Sequence, residues 1–221
     1  MPLAVFRYSR GLAGIFELPV ATAHRLVPAP LEPIEVHHGT SALLVSANEY
    51  AESPFGPFAE LIVSVLVAPL IRPGDLVPHA AFYPFSMATT TPAPRAEVVP
   101  GLRFPYWADD VSMSFQDDGD RHSVAVAIGG ATLLEMSAHE VEWEELTQRY
   151  QLFAVEAGAR GCRATLTTQG QQSDSEDGQG DLKLCAHAFY RGLDVTDVDP
   201  LPMRETCLKN GARTLVDLVP L

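Results

Sequence analysis

The amino-acid sequence predicts a mainly β (α+β) protein, a single domain over residues 1–221 with a few short helices. Three observations predict it. Eighteen prolines are spread through the chain and bound many short segments, the pattern of short strands joined by turns. No stretch alternates a strand with a long amphipathic helix, so a doubly wound sheet is not expected. The chain is 47% hydrophobic and 19% charged, and its 221 residues suit one ordinary core. A chain of that size buries about 70% of its unfolded surface and needs no covalent staple. No internal repeat or heptad is present.

The elements follow in order. Pro19 to Leu26 reads as a short helix, with proline at its start and Val20, Ala23 and Val27 on one face. Strands are expected at Ser41–Ala47, Leu61–Ala68, Val111–Phe115, Ser123–Met136, Gln151–Ala157, Cys162–Thr168 and Leu182–Phe189. Asp117-Asp118-Gly119-Asp120 lies between two of them and reads as a hairpin turn. Glu140–Arg149 and Arg204–Ala212 read as helices. Gln169–Gly180 is polar, acidic and glycine-rich, and reads as a mobile loop.

Charge and motifs narrow the function. Fifteen Lys+Arg against 28 Asp+Glu give a net charge of −13, which argues against nucleic acid or an anionic membrane as partner. Arg7, Arg10 and Glu17 interrupt the apolar N-terminal stretch, so no signal peptide is expected. The longest apolar run, Leu61–Leu70, falls short of the ~20 residues that span a bilayer, and a cytoplasmic location is expected. Cys162, Cys185 and Cys207 are too few and scattered for a disulfide framework or zinc site, and read as buried small hydrophobes. No glycine-rich phosphate motif exists, nor a nucleophile elbow. Adjacent His37 and His38 would point to opposite faces of a strand. His139, Glu140 and Glu142 lack metal-ligand spacing. No cofactor and no metal is expected.

Two windows stand out. In Tyr50–Glu60 two prolines and a glycine make a tight turn, after which Glu60 heads a strongly apolar strand. A carboxylate there is either a rim group in water or a desolvated one with a raised pKa, suited to general acid–base work. Gly101–Trp107 clusters Phe104, Tyr106 and Trp107 around Pro105. It is either core packing with a turn or the wall of an apolar pocket with a phenol at its edge.

Taken together, five segments in order resemble the acetoacetate decarboxylase family. They are Leu26–Glu32, Gly56–Glu60, Gly101–Val111, Leu182–Ala188, and Leu201–Glu205 followed by Asp217–Pro220. The resemblance implies an antiparallel β-cone or double barrel enclosing the site, and a homo-oligomer. It also implies an imine-forming lysine after the proline of the third segment. Here Pro105 is followed by Tyr106, and a phenol forms no imine. The chain has two lysines. Lys183 lies on another expected strand and is the alternative amine; Lys209 lies in an expected surface helix. Residue by residue, the resemblance puts Glu60 at a family glutamate and Arg10, within one position, at a site arginine. It puts His79 at the site's border and a second family glutamate near Val45, where it is lost.

The sequence therefore leads to Glu60, Tyr106 and Arg10 as catalytic candidates, with His79, Phe104 and Trp107 lining the substrate. The expected function is a lysine-independent enzyme using general acid–base chemistry on a small keto acid or polyketide-like carbonyl compound. Dehydration, cyclisation and isomerisation fit; imine decarboxylation is disfavoured. The alternatives are a non-catalytic binding protein for a hydrophobic organic acid and a structural role.

Overall fold

A computed structural model describes residues 2–95, 103–155 and 161–221. Among these residues the chain forms twelve strands, one α-helix and three short 3-10 turns. The strands are β1 (Ala4–Pro19), β2 (Glu35–His37), β3 (Thr40–Glu52), β4 (Phe58–Leu66), β5 (Ala80–Thr89) and β6 (Val111–Asp118). They continue as β7 (Arg121–Ile128), β8 (Ala131–His139), β9 (Glu144–Ala154), β10 (Cys162–Ser175), β11 (Asp181–Leu184) and β12 (Pro202–Pro220). Helix α1 is Val20–Leu26.

Seven strands close a barrel in the order β1-β12-β10-β9-β5-β4-β3, with β3 pairing back onto β1. Closure leaves these seven strands no free edge, and the short β2 pairs with β3 alone. Neighbours are antiparallel except β5 and β9, which run parallel. A second sheet, β11-β8-β7-β6, covers the outside of the barrel. The largest core lies between the two layers. Val124, Val126, Leu134 and Met136 of the outer sheet join one cluster with Leu43, Val45, Leu61 and Val63 of the barrel wall.

This layering explains β4. Phe58 through Val65 are all buried. Leu61, Val63 and Val65 enter the core under the outer sheet, while Glu60, Ile62 and Ser64 line the barrel's interior cavities. A strand covered on both faces reads as a continuous apolar run. Pro84 sits in β5 at the point where the β4–β5 register shifts, a place a strand tolerates a missing N–H.

The mainly β reading holds, as do the short helix and the hairpin, where Asp118 pairs with Arg121 across Gly119 and Asp120. Several boundaries are corrected. Arg204–Ala212 is not helical but belongs to β12, and Glu144–Arg149 opens β9. Both segments put polar residues inside the barrel, which removes the apolar stripe that marks a strand. Gln169–Ser175 completes β10, paired with β12 to Ser175 and with β9 to Gln172, so only 176–180 of the expected loop connects strands. Ser123–Met136 is two strands turned at Gly129 and Gly130, both with positive φ. The strand expected at Leu182–Phe189 ends at Leu184 and gives way to a 3-10 turn at Ala188–Tyr190. Strands β1 and β5 were not anticipated. Gly101, Leu102, Glu156 and Ala157, named in the sequence reading, lie outside the described residues.

Candidate active site

The turn before β4 sets the site. Ser53 Oγ donates to the Gly56 carbonyl (2.6 Å) and accepts from the Phe55 N–H (3.0 Å), while Gly56 takes φ 82°. The chain enters β4 with Glu60 on the inward face, opposite Asn48 of β3. Glu60 is 7% exposed. Two phenols donate to its carboxylate: Tyr106 to Oε1 at 2.8 Å and Tyr50 to Oε2 at 3.2 Å. Arg213 of β12 donates from Nη1 to Tyr50 Oη (3.3 Å) and from Nη2 to Ser46 Oγ (3.4 Å). Asn48 Nδ2 also donates to Ser46 Oγ, at 3.0 Å. Tyr106 is held against the end of β5. The Trp107 N–H donates to the Met87 carbonyl (2.7 Å) and the Met87 N–H to the Pro105 carbonyl (3.3 Å).

Burial raises the Glu60 pKa above the ordinary carboxylate value. The Tyr106 hydrogen bond, the Arg213 charge and the Tyr50 hydrogen bond oppose the shift without cancelling it. Burial and the adjacent Glu60 hold the Tyr106 phenol protonated, well above its usual range. Burial also opposes the Arg213 charge, but Tyr50 and Glu60 more than offset it. The result is a strengthened carboxylate base between two phenols that remain donors, with a permanent cation one phenol away.

Two adjoining chambers lie inside the barrel wall. The smaller, about 50 Å³, is lined by Glu60, Tyr50, Tyr106, Phe104 and Met87 among others. The larger, about 130 Å³, is lined by His79, Tyr150, Gln172, Ser64 and Arg204 among others. Ile62, Leu152, Leu166 and Arg213 line both and form the waist. Among the described residues no group of three or more His, Cys, Asp or Glu is placed to hold a metal ion. No helix among them is long and apolar enough to cross a membrane.

No protein-family model matches the chain, and no curated protein sequence matches it. Solved structures match over its whole length. An acetoacetate decarboxylase superposes with a TM-score of 0.64 at 13% identity, over 100% of this chain and 89% of that one. The fold is that of acetoacetate decarboxylase. The decarboxylase from Legionella pneumophila superposes with a TM-score of 0.61 at 14% identity, over 100% of this chain and 87% of that one. The enduracididine biosynthesis enzyme MppR, complexed with pyruvate, has a TM-score of 0.63 at 12% identity, over 100% of this chain and 91% of that one.

Within the acetoacetate decarboxylase fold, the sequence-selected residues separate into two groups. Glu60, Tyr106 and Phe104 meet at the smaller chamber, and His79 lines the larger one with its ring edge-on to Tyr150 (centroids 5.6 Å apart). Arg10 and Trp107 line neither chamber. Arg10 points outward with Leu12 and Phe16, because the β1–β3 register shifts between Tyr8 and Arg10. It donates to Glu49 Oε2 (2.9 Å) and Asp117 Oδ2 (3.3 Å) and lies over the Phe115 ring in an exterior cleft. Trp107 packs outside the chambers, its ring against His187 and Phe189. Val45, where the resemblance places a lost glutamate, faces the core under the outer sheet.

Neither lysine lines an interior chamber. Lys183 pairs with Glu135 at 3.0 Å on the outer sheet and is largely exposed. Lys209 lies over the Trp143 ring, 3.5 Å from its centroid. The sequence reading missed Arg213, Ser46 and Tyr50. Tyr50 opened the window that singled out Glu60, and only the register of β3 against β4 places its phenol on the carboxylate. Arg213 carries no motif; the bulge at Asn210 and Gly211 decides that it points inward.

Proposed function

We propose that this protein is an enzyme that transfers protons beside a carbonyl group without a covalent lysine intermediate. One observation carries the reading. A buried carboxylate of raised pKa sits between two phenols at the wall of an interior cavity that also presents a guanidinium. Arg213, rather than Arg10, takes the place of the site cation and receives the substrate's carboxylate or carbonyl oxygen. Glu60 removes a proton from the carbon beside the carbonyl. The electron pair moves onto the carbonyl oxygen, where Arg213 stabilises the developing negative charge, while the Tyr106 O–H stays on the Glu60 carboxylate. Glu60 then returns the proton to a neighbouring carbon or a leaving hydroxyl. This one step is common to dehydration, cyclisation and isomerisation. Imine decarboxylation finds no amine in either chamber.

The test is an NMR incubation with stable 2-oxo acids, enones and hydroxy acids, following exchange of the proton beside the carbonyl and product formation. Wild type is expected to turn over at least one class, with Glu60→Gln inactive. Binding without exchange or product would replace this reading with that of a binding protein for organic acids. A homo-oligomer is proposed with the same reading; light scattering that gives the mass of one chain would remove it.

A further inference from the structure

The acid–base reading leaves most of the barrel interior without a task. The smaller chamber holds Glu60 and both phenols yet is less than half the size of the larger one, at about 50 Å³ against about 130 Å³. At roughly 10–15 Å³ per water-sized group, the first takes about four groups and the second about ten. A three-carbon oxo acid, with six non-hydrogen atoms, would fill the reacting chamber, reach the waist and leave most of the larger one unfilled.

The larger chamber has a distinct chemistry. Its waist is mainly apolar, with Ile62, Leu152 and Leu166 beside the single guanidinium of Arg213. Beyond the waist it presents buried polar atoms without partners. Gln172 is 2% exposed and Ser64 is fully buried, and neither Gln172 Nε2 nor Ser64 Oγ has a hydrogen-bond partner among the described residues. Arg213 Nε, at the waist, is likewise unpartnered. Buried polar groups are ordinarily satisfied, and one left without a partner is costly. All three atoms can donate. The neighbouring Arg204 Nη2 and Thr206 Oγ1 both donate to the Asp174 carboxylate. The unspent capacity thus asks for acceptor oxygens on a group that has passed through a mainly apolar waist.

Resting on the proposed function, we infer that the substrate is an extended oxo acid whose acyl chain carries at least one further acceptor oxygen, such as a second ketone. Its reacting carbonyl lies at the waist beside Arg213 and faces Glu60. Its chain occupies the larger chamber, with the distal oxygen accepting from Gln172 and Ser64. These two residues select for oxygenation of the chain and take no part in the proton transfer.

Calorimetric titration of the full chain with pyruvate, 2-oxooctanoate and 2,7-dioxooctanoate tests this directly. 2-Oxooctanoate is expected to bind roughly tenfold or more tighter than pyruvate, from apolar burial at the waist and beyond. 2,7-Dioxooctanoate is expected to bind roughly fivefold tighter again, the effect of one well-made hydrogen bond. Gln172→Leu should abolish this second gain and keep the first. Equal affinity for pyruvate and 2-oxooctanoate, no binding of either longer acid, or a second gain that survives in Gln172→Leu would each overturn the inference. The two wild-type comparisons stand even where the variant does not fold. Glu60→Gln separates the readings. The affinity series should persist in it; unimpaired turnover by Glu60→Gln would remove the proposed mechanism and leave the inference about chain recognition intact.

Discussion

At the scale of the residue, Glu60 concentrates the consequences. Loss of a positioned general base typically costs 10²–10⁴-fold, so Glu60→Gln is expected to lower turnover by roughly that factor with its circular dichroism unchanged. Its stability should move the other way. Because burial raises the Glu60 pKa in the folded state, the folded protein binds its proton more tightly than the unfolded chain. Folding stability is therefore lost as pH climbs from the unfolded carboxyl value through the raised folded one. Glu60→Gln removes that penalty, and thermal melts at neutral pH should place it at or above wild type. The acid limb of kcat/KM should lie above the ordinary carboxylate pKa, since catalysis needs the deprotonated form. Tyr106→Phe deletes the leading hydrogen bond to the carboxylate and should move that limb to still higher pH. A limb that stays in place would mean that Tyr106 does not tune Glu60. Glu60 was legible in the sequence because a charge at the head of an apolar strand is conspicuous. Arg213 was not, because an arginine in a polar C-terminal stretch looks like a solvated one.

At the scale of the element, β1, β10 and β12 approach one another closely around Gly170 and Gly211. Gly170 lies at an irregularity of β10 with φ 147°, and Asn210 beside Gly211 takes φ 51°. Tyr8 Oη fills the space that two side chains would need and donates to the Gln169 carbonyl at 3.1 Å. A Cβ on Gly211 would collide with Tyr8 Oη and with the Gln169 carbonyl oxygen. Gly211→Ala should destabilise the protein by about 1–3 kcal/mol, read from chemical denaturation. The shifted register would also displace Arg213, two positions on. The β6–β7 hairpin and the segment after β8 meet at His122, which bonds Asp117 and Glu140 at 2.8 Å each. Burial lowers its pKa, but the two carboxylates raise it further, so the net shift is upward. The stabilisation is complete below the unfolded histidine pKa of about 6.5 and is lost as pH rises through the folded value. His122→Asn should thus cost more stability at pH 6 than at pH 9, and an equal cost at both would remove the charge from the account. These elements also mark where sequence patterns misled. In β9 and β12 the inward positions include Gln148, Arg204, Thr206 and Arg213, so apolar and polar residues do not alternate as in an ordinary half-buried strand.

At the scale of the whole molecule, the structural core and the chemical cavity occupy different layers. The barrel wall is shared, with one face toward the outer sheet and the other toward the chambers. Leu134 of β8 is fully buried in the first layer and lines neither chamber. Leu134→Ala should cost about 2–5 kcal/mol while leaving KM unchanged at temperatures where the protein stays folded. A large change in KM would mean that the outer sheet sets the shape of the chambers.

The sequence by itself determined the mainly β class and the resemblance to acetoacetate decarboxylase, and it drew attention to the carboxylate at Glu60 and the phenol at Tyr106. All are local: they rest on proline spacing, apolar runs and short segments in order. Tertiary structure decided what faces inward. Alternation gives every strand two faces, and closure of the barrel, with its bulges, chooses between them. That choice sent Arg10 to the exterior cleft, brought Arg213 to the waist and gathered Tyr50, Glu60 and Tyr106 from three separate segments around one cavity.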